Sequence, residues 1–296
     1  MKGKTQEWLD AIKHLRLHFS LLLMPVYLFA LSQAEGTNTR DAILCFIILH
    51  LLVYPASNVF NSYHDRDTES VGGIKNPPPI NEKMLLLANL FDSLAVALAL
   101  LIAPLLGGTV LLYIIASRLY SHRGVRLKKY PYIGFAVIFF FQGAFTYLIV
   151  SYGVTDYWNG CFGSYKEIPS HLTFAALATS FQIGAIYPLT QIYQHKSDLA
   201  DGVKTLSYKL GYKGTFVFSG IMFGIATLFY FLHFKETDIQ SFYLLLIVQL
   251  PIVLYFVYWA YSVWQDESNA NYKHTMRMNT IAAFVLNLFF IYLIIK

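Results

Sequence analysis

Two groups of oxygen-bearing side chains stand at the ends of long apolar segments. The first contains Asn61, Asp65 and Glu69, each four residues from the next. On an α-helix this spacing places the three side chains on one face. Carboxylates are costly at a membrane surface unless they are used, and Mg²⁺ prefers oxygen ligands. The group therefore predicts a site for Mg²⁺ and a phosphorylated ligand. A solvated helix end, with acidic residues compensating nearby Arg66 and Lys75, is the alternative.

The second group has the same character. Gln194 and Asp198 are again four residues apart, Asp201 follows, and the chain continues as Gly202-Val203-Lys204-Thr205. A repeated oxygen-rich helix end weakens the alternative of a merely solvated helix. A pyrophosphate bridged by metal ions between the two groups is the simplest shared purpose.

The composition indicates a membrane protein. The chain has 296 residues, of which 56% are hydrophobic and only 13% charged, and its mean hydropathy is +0.48. Such a chain is too apolar for a soluble domain of this length. Its two cysteines, Cys45 and Cys161, are too few for a disulfide framework or a thiolate metal site.

The apolar segments predict an all-α bundle of nine transmembrane helices in a single domain, residues 1–296. The predicted spans are 17–33, 41–62, 84–106, 108–121, 131–152, 171–194, 214–233, 240–263 and 279–295. Eight is the alternative count, because only Pro104 and the Gly107-Gly108 pair separate the third span from the fourth. Residues 1–16 are expected to form an amphipathic helix on the membrane surface.

The basic residues predict the orientation in the membrane. With a cytoplasmic N-terminus, nine spans leave all but four of the 22 Lys and Arg residues on the cytoplasmic side; the exceptions are Arg40, Lys166, Lys235 and Lys296. This bias obeys the positive-inside rule. Both oxygen-rich groups then lie on the cytoplasmic side. The net charge of +5 is explained by topology and an anionic ligand, and no nucleic-acid partner is expected.

The expected architecture follows from this orientation. The bundle surrounds a central cavity that opens to the cytoplasmic side, and the loops 63–83, 118–130 and 195–213 form a cap over it. The polar stretch 153–170 is the one long link on the other side. The expected location is a bacterial inner (plasma) membrane, with the N-terminus and the active site on the cytoplasmic side.

The motifs resemble those of the UbiA-type intramembrane prenyltransferases. In that family an Asn-xxx-Asp-xxx-Asp pattern ends the second helix, and an Asp-xxx-Asp pattern ends the sixth and is commonly followed by Gly-x-Lys-Thr. A Tyr-Ser…Leu-Lys loop follows the fourth helix. The matching residues here are Asn61, Asp65, Glu69, Tyr120, Ser121, Arg126, Leu127, Lys128, Asp198, Gly202, Lys204 and Thr205. The resemblance covers nearly the whole chain.

Two positions depart from the family pattern. Glu69 stands where Asp is usual, which keeps the charge but lengthens the side chain. Gln194 stands where the first Asp of the second motif is expected, which removes a charge. Gln194 still offers a neutral oxygen, and Asp201 is an alternative ligand.

The resemblance implies a Mg²⁺-dependent transfer of a prenyl group from a prenyl diphosphate to an aromatic or other hydrophobic acceptor. The implied catalytic residues are Asp65, Asp198 and Lys204. The implied metal ligands are Asn61, Asp65, Glu69, Gln194, Asp198 and Asp201. The implied substrate contacts are Asn61, Arg66, Tyr120, Arg126, Lys128, Gln194 and Lys204. Aromatic walls would shield the prenyl cation, and the tyrosines near the motifs are Tyr63, Tyr120, Tyr187 and Tyr193.

Three alternatives stay open. A related terpene cyclase or prenyl diphosphate hydrolase would share the same motifs, and the altered position Gln194 keeps this possibility open. An ion transporter or channel is disfavoured because its charges would lie near the bilayer midplane. A transition-metal site at His64 and His195, which adjoin the two motifs, is disfavoured by the lack of closely spaced histidine pairs.

Overall fold

The protein is helical throughout the part described by its structure, a computed structural model covering residues 2–155 and 169–296. In these ranges the only β feature is an isolated bridge between Val71 and Ile74. Among the described residues, eight helices are long and apolar enough to span a membrane, and the pair Gly3–Ser20 and Met24–Ser32 makes a ninth if it is one broken span. The predicted all-α, multi-pass fold is confirmed, and nine is the upper limit of the count.

Ten helices are numbered in chain order. Their bounds are α1 Lys2–His14, α2 Met24–Ser32, α3 Thr39–Asp65, α4 Lys83–Ile102, α5 Pro104–Ser121, α6 Pro131–Gly153, α7 Ser170–Ala200, α8 Leu206–Glu236, α9 Ile239–Gln265 and α10 Tyr272–Ile295. Shorter helical turns are Leu17–Ser20, Leu127–Lys129 and Glu267–Asn269. Cys161, Lys166 and most of the predicted polar stretch 153–170 lie outside the described residues.

The helix boundaries confirm one expectation and correct another. Ala103 has an extended backbone and Pro104 begins α5, so the fourth predicted span is a helix of its own. The predicted loops 63–83, 118–130 and 195–213 are longer than the observed connections, since each overlaps the ends of neighbouring helices. The connections are 66–82, 122–130 and 201–205. Side-chain hydrogen bonds and packing extend these helices beyond their apolar stretches.

The chain divides into two compact units. The first unit comprises Met1–Leu23, Ala34–Leu127 and Ile149–Phe162, and the second comprises Met24–Gln33, Lys128–Leu148 and Gly163–Lys296. The first thus carries the motif around Asp65, and the second carries the motif around Asp198. The single domain and the central cavity stay predictions.

In the first unit, α1 packs on α3 and α4. The buried cluster consists of Ala11, Leu15, Val59, Phe60, Met84, Leu87 and Ala88. Trp8 is partly buried against it, whereas Leu9 and Ile12 are 48% and 47% exposed. An apolar side chain left outside a packed helix suits a membrane surface. The interfacial position of residues 1–16 stays a prediction.

A buried ion pair joins α4 to α5. Arg118 Nε donates to Asp92 Oδ2 at 2.8 Å, and the Arg118 guanidinium carbon lies 3.8 Å from the centroid of the Phe60 ring on α3. The two charged side chains are only 18% and 14% exposed. Charges within membrane helices are expensive unless they are paired. The pair and the ring thus connect α4 and α5 to α3, the helix that carries Asn61 and Asp65.

In the second unit, aromatic rings surround Phe29 of α2. Its centroid lies 4.8 Å from that of Phe290 on α10 and 5.2 Å from that of Tyr230 on α8. Beside them, His233 Nε2 lies within hydrogen-bonding distance, 2.7 Å, of Gln33 Oε1. The Tyr230 hydroxyl donates to Gln182 Oε1 on α7. Ring packing and polar pairs together hold α2 against the longer helices.

The second unit also contains a close helix contact at Gly143. Residues Phe139–Phe145 of α6 form a π-helical stretch, in which some backbone N–H groups lose their regular partners. One of them is satisfied from α7, since Ala144 N donates to Ser180 Oγ at 2.8 Å. A Cβ atom at Gly143 would lie 2.4 Å from the Ser180 Cα atom. Only glycine permits this approach.

Replacing Gly143 by alanine should destabilise the protein. The added methyl group meets the backbone of Ser180, so we expect Gly143→Ala to lower the free energy of unfolding by about 1–3 kcal/mol. The measurement is the thermal unfolding midpoint in detergent. Gly108→Ala is the matched control, because a Cβ atom there has no neighbour within 4 Å. Equal midpoints for the two variants would contradict the close contact.

Removing one partner of the Asp92–Arg118 ion pair should destabilise the protein more than replacing both partners by apolar residues. We expect Asp92→Leu to cost about 3–5 kcal/mol, because Arg118 is left charged without its partner, and the double change with Arg118→Met to recover most of this loss. Chemical unfolding in detergent measures both. Lys296→Met is the control, since the Lys296–Asp238 pair is exposed and such pairs contribute about 0–1 kcal/mol. A double variant as unstable as Asp92→Leu would contradict the assignment.

Candidate functional site

The first motif lies where α3 ends. Asp65 is the last residue of the helix, and Arg66 adopts a left-handed conformation with φ 53° while its N–H donates to Ser62 O. The prediction that one helix face carries the whole motif is therefore wrong for Glu69. Glu69 lies in the following non-helical segment and is exposed, as is Arg66. Its metal role stays a prediction.

Hydroxyl groups on α5 hold the end of α3. Ser121 Oγ donates to Asn61 Oδ1 at 2.8 Å, and one turn earlier Ser117 Oγ donates to Ser57 Oγ at 2.8 Å. Both serines lie in the last two turns of α5, just before the 122–130 connection. Ser121 belongs to the predicted Tyr-Ser pair. Its contact gives that pair a physical role, which is to orient the amide of Asn61.

The carboxylate of Asp65 binds a guanidinium group. Arg126 Nη2 lies 3.1 Å from Asp65 Oδ1, and the two side chains are 9% and 14% exposed. Arg126 itself has a left-handed backbone with φ 52°, and its N–H donates to His122 O at 2.8 Å. The connection after α5 is therefore folded so that its arginine faces the end of α3. The structure thus brings together Asp65, a predicted metal ligand, and Arg126, a predicted substrate contact.

Histidine and aromatic rings cover the same helix end. The His64 centroid lies 4.3 Å from that of Phe60 and 4.8 Å from that of His122. Arg123 Nε donates to the carbonyl oxygen of His64 at 2.5 Å. The two histidines face each other from α3 and the start of the 122–130 connection. This pair is not predictable from the sequence, because the residues are 58 positions apart and no local spacing relates them.

The segment that follows α3 is tied to the N-terminal part of the chain. Arg16, only 5% exposed, donates through Nη2 to Asn58 O at 2.9 Å and through Nη1 to Gly72 O at 3.4 Å. His14 Nε2 donates to Pro78 O at 2.9 Å. His18 Nε2 donates to Gly73 O at 3.1 Å. These contacts position the motif-bearing connection, and no local sequence signal reveals them.

The second motif lies at the end of α7, in the second unit. The helix tightens into a 3₁₀ turn over Ile192–Gln194 and resumes over His195–Ala200. Gln194 immediately precedes this last segment, and Asp198 lies within it; both side chains are partly exposed. Asp201 is the first residue beyond the helix. The predicted spacing at a helix end is thus present, with a local break at Gln194.

A tight turn links α7 to α8. Val203 N donates to Asp198 O at 2.8 Å, and Gly202 has φ 71°, a conformation that favours glycine. Lys204 is exposed after this turn. Thr205 caps α8, since its Oγ1 accepts a hydrogen bond from Tyr208 N at 3.3 Å. In the matched Gly-x-Lys-Thr segment, Gly202 and Thr205 therefore have structural roles, whereas Lys204 offers an exposed cation.

His195 is a packed residue of the second motif. Its Nε2 atom lies 2.8 Å from Ser207 Oγ, and its ring stacks on Tyr212 at a centroid distance of 4.9 Å. Ser207 Oγ also lies 3.0 Å from Thr215 Oγ1. His195 thus connects the end of α7 to α8. These packing contacts account for the position of His195 beside the motif, and they require no bound metal ion.

The tyrosines near the motifs have different surroundings. The Tyr63 hydroxyl donates to Glu82 Oε1 at 2.8 Å, and Gln191 Nε2 donates to the Tyr187 hydroxyl at 2.7 Å. The Tyr193 ring packs on Tyr272 at a centroid distance of 5.3 Å. Tyr63, Tyr187 and Tyr193 thus each have an identified structural contact, and a role beside the prenyl group stays a prediction.

Two further predicted substrate contacts, Tyr120 and Lys128, lie at the end of α5 and in the connection that follows it. Tyr120 lies in the last turn of α5, next to Ser121, and is partly exposed. Lys128 lies in the short 3₁₀ helix Leu127–Lys129 and is only 8% exposed. Lys128 thus differs from an ordinary surface lysine in being buried.

The donor atoms at the first motif suit a hard divalent cation. Asp65 offers a carboxylate and Asn61 an amide oxygen, the ligand types that Mg²⁺ prefers. The position beside Asp65 already holds a cationic group, the guanidinium of Arg126. Within residues 2–155 and 169–296, no three His, Cys, Asp or Glu side chains are grouped closely enough to hold a metal ion. The residues fit Mg²⁺ if a ligand such as phosphate supplies further oxygens.

Solved structures show the same fold. A structure described as digeranylgeranylglyceryl phosphate synthase in membranes has a TM-score of 0.63 at 17% identity, covering 99% of this chain and 100% of the other. A UbiA homologue from Archaeoglobus fulgidus bound to GPP and Mg²⁺ has a TM-score of 0.67 at 16% identity, covering 97% and 100%. A UbiA homologue from Aeropyrum pernix K1 has a TM-score of 0.65 at 16% identity, covering 95% and 98%.

A comparison with curated proteins found no match. The model of the UbiA prenyltransferase family matches residues 22–281, which include both oxygen-rich helix ends and the connection after α5. The match therefore spans most of the chain and all the motifs described above. The chain belongs to the UbiA prenyltransferase family.

Proposed function

We propose that this protein transfers a prenyl group from a prenyl diphosphate to an aromatic or other lipid-pathway acceptor within the membrane, with Mg²⁺ as its cofactor. The observation that carries the proposal is the Asp65–Arg126 pair, in which a carboxylate and a guanidinium group meet beside Asn61 at a helix end. The carboxylate suits a metal ion and the guanidinium suits a phosphate group. Structural relatives bound to GPP or DMAPP with Mg²⁺ support this assignment.

Asp65 and Asn61 would bind Mg²⁺ at the first motif, and Asp198 would bind Mg²⁺ at the second. Glu69, Gln194 and Asp201 are proposed as further oxygen ligands. Bound Mg²⁺ neutralises charge on the diphosphate and so makes it a better leaving group.

Cationic side chains would bind the diphosphate itself. Arg126 faces the end of α3, Lys128 is held on a helical turn and Lys204 is exposed after the α7–α8 turn. Arg66 and Tyr120 are proposed as additional contacts of the diphosphate. Arg66 follows Asp65 of the first motif, and Tyr120 precedes Ser121, which orients Asn61. The bond between the prenyl C1 atom and oxygen breaks, and the diphosphate leaves with the electron pair. Interactions that grow stronger as this charge develops lower the barrier.

The prenyl cation would then be captured by the acceptor, which loses a proton in forming the new bond. Aromatic rings stabilise a nearby cation through their π faces. Tyr63, Tyr120, Tyr187 and Tyr193 are the proposed aromatic groups, since they adjoin the motifs. The acceptor is proposed to be a molecule that dissolves in the bilayer, since candidate membrane-spanning helices make up most of the chain.

The active site is proposed to face the cytoplasm, in a bacterial inner membrane. The distribution of Lys and Arg supports this orientation, because it places the basic residues of the motifs on the positive side. The short connections 122–130 and 201–205 would close over the diphosphate and exclude water.

A reconstituted assay tests the proposal. Purified protein in nanodiscs would be incubated with Mg²⁺, prenyl diphosphates of several lengths and candidate aromatic acceptors, and the lipids identified by mass spectrometry. We expect diphosphate release only when an acceptor is present, with a product mass equal to acceptor plus prenyl group, and no release after chelation of Mg²⁺. Acceptor-independent release of a hydrocarbon or a prenyl alcohol would instead indicate the cyclase or hydrolase alternative.

Two variants connect this assay to the motifs. Asp65→Asn and Asp198→Asn each remove a carboxylate at a helix end, so we expect turnover to fall by at least about a hundredfold while the protein stays folded. Asp41→Asn is the matched control, because it makes the same change in the first turn of the same helix, α3. Near-normal turnover in either motif variant would overturn the site assignment.

Gln194 tests the departure from the family motif. A carboxylate binds a hard cation more strongly than a neutral amide does, so we expect Gln194→Asp to lower the Mg²⁺ concentration required for half-maximal turnover. Gln265→Asp, at the exposed end of α9, is the control. An unchanged Mg²⁺ requirement with a new product would show instead that Gln194 shapes the reaction.

A further inference from the structure

Basic and aromatic side chains meet where α6 and α8 begin, within the second unit. Lys209, in the first turn of α8, places its Nζ atom 4.4 Å from the centroid of the Tyr132 ring in the first turn of α6. Lys129 Nζ lies 4.9 Å from the centroid of the Tyr130 ring, just before α6. A cation–π interaction thus holds each ammonium group over an aromatic face. Together with Lys213, these four residues form what we call the α6–α8 basic surface.

The lysines of this surface have no carboxylate partner. In the ranges that the structure describes, none of Lys129, Lys209 and Lys213 forms an ion pair. The sequence of α6 contains no acidic residue, and the first one in α8 is Glu236 at its far end. An ammonium group has three N–H donors, so contact with one ring leaves donors for another ligand. The surface therefore fits an anion.

The length of α8 places its lysines near the membrane surface. A helix of 31 residues extends about 46 Å, whereas the hydrocarbon core of a bilayer is about 30 Å thick. The first turns of α8 can therefore lie outside this core. One and two turns beyond Lys213, Val217 and Ile221 lie on the same face and are 55% and 57% exposed. This face thus changes from charged to apolar, as a lipid does from headgroup to acyl chain.

The side chains of α6 follow the same order. Tyr130 and Tyr132 are 46% and 63% exposed, and farther along the helix Ile133 and Phe140 are 50% and 48% exposed. Tyrosine is enriched where a membrane meets water, because its ring is apolar and its hydroxyl polar. Both helices therefore present charged or aromatic residues first and exposed apolar residues next.

The surface differs from the proposed diphosphate contacts. Lys128, one of those contacts, is only 8% exposed, whereas the adjacent Lys129 lies over the exposed ring of Tyr130. The two neighbouring lysines thus have different surroundings, one inside the protein and one outside. The orientation of the chain in the membrane accounts for the sign of these charges. It does not account for lysines that are held over exposed tyrosine rings.

We propose that the α6–α8 basic surface binds the phosphate headgroup of an anionic membrane phospholipid. The lysines would donate to the phosphate oxygens, and the acyl chains would lie along exposed apolar side chains such as Ile133 and Val217. A zwitterionic headgroup carries its own ammonium group beside the phosphate, so it attracts the lysines less. This inference goes beyond prenyl transfer and does not depend on it.

Photolabelling tests the proposal. The full-length protein in dodecyl maltoside micelles would be labelled with a phosphatidylglycerol that carries a diazirine in its headgroup, and the modified residues mapped by mass spectrometry. We expect labels within 129–133 and 209–217. Unlabelled phosphatidylglycerol should displace them at concentrations at least about tenfold lower than phosphatidylcholine with the same acyl chains, since each lysine contributes about fivefold. Equal displacement by the two lipids would overturn the proposal.

Two water-soluble competitors distinguish a phospholipid from other phosphate ligands. Without Mg²⁺, inorganic phosphate and geranyl diphosphate should each displace the label at least about tenfold less effectively than phosphatidylglycerol, because neither brings a pair of acyl chains. Displacement by either as effective as by phosphatidylglycerol would overturn the proposal. Labelling needs neither Mg²⁺ nor turnover, so a failure of the proposed prenyl transfer would leave this result unaffected.

Charge variants complete the experiment. The glutamine variant combines Lys129→Gln, Lys209→Gln and Lys213→Gln, and we expect it to lose the preference for phosphatidylglycerol. Arginine at the same three positions keeps the charges and should keep the preference. The matched control removes three exposed charges elsewhere, through Arg40→Gln, Lys235→Gln and Lys273→Gln. A preference that persists in the glutamine variant, or an equal loss in the control, would overturn the site.

The salt dependence of the unmodified protein is a test that requires no variant. Dissolved ions screen the attraction between exposed charges, so we expect the preference for phosphatidylglycerol to fall severalfold as the salt concentration rises. Contacts of acyl chains alone would not respond in this way. A preference that does not change with salt would therefore overturn the role of the lysines.

Discussion

In a bilayer, a polar group without a partner has no water to bind, and this constraint shapes both units of the protein. Where a helix departs from regular geometry, another helix supplies the missing bond, as Ser180 does for Ala144. Where charges occur within helices, they meet one another, as Asp92 and Arg118 do. This need for polar partners therefore limits both how the helices pack and where charged side chains can lie.

The same constraint explains why the proposed metal and substrate residues stand at helix ends. At the end of α3 the left-handed turn at Arg66 stops the helix, and the carboxylate of Asp65 meets an arginine from the next connection. At the end of α7 a 3₁₀ turn precedes the last helical segment, and the Gly202 turn leads directly into α8. Both helix ends lie where an apolar helix gives way to a polar connection, at a place that water can reach.

Much of this organisation could be predicted from the sequence. Hydropathy located the membrane helices, because an apolar helix of about twenty residues matches the thickness of a bilayer, and the motif spacing located the two helix ends. The position of Glu69 was not predictable, since α3 stops at Asp65 through a backbone conformation of Arg66 that spacing does not encode. The Arg16 contacts and the His64–His122 pair join residues far apart in the chain, so they required the folded structure.

The contacts of Arg16 and His14 connect the motif-bearing segment to the surroundings of the protein. They attach the connection after α3 to the end of α1 and the residue that follows shortly after it, and the Leu9 and Ile12 side chains of α1 are exposed. If these side chains enter the lipid, the thickness and composition of the bilayer set the height of α1 and, through it, of the motif-bearing connection. The membrane would then act as a reference plane for the reaction centre, so that catalysis depends on the lipid in which the enzyme is embedded.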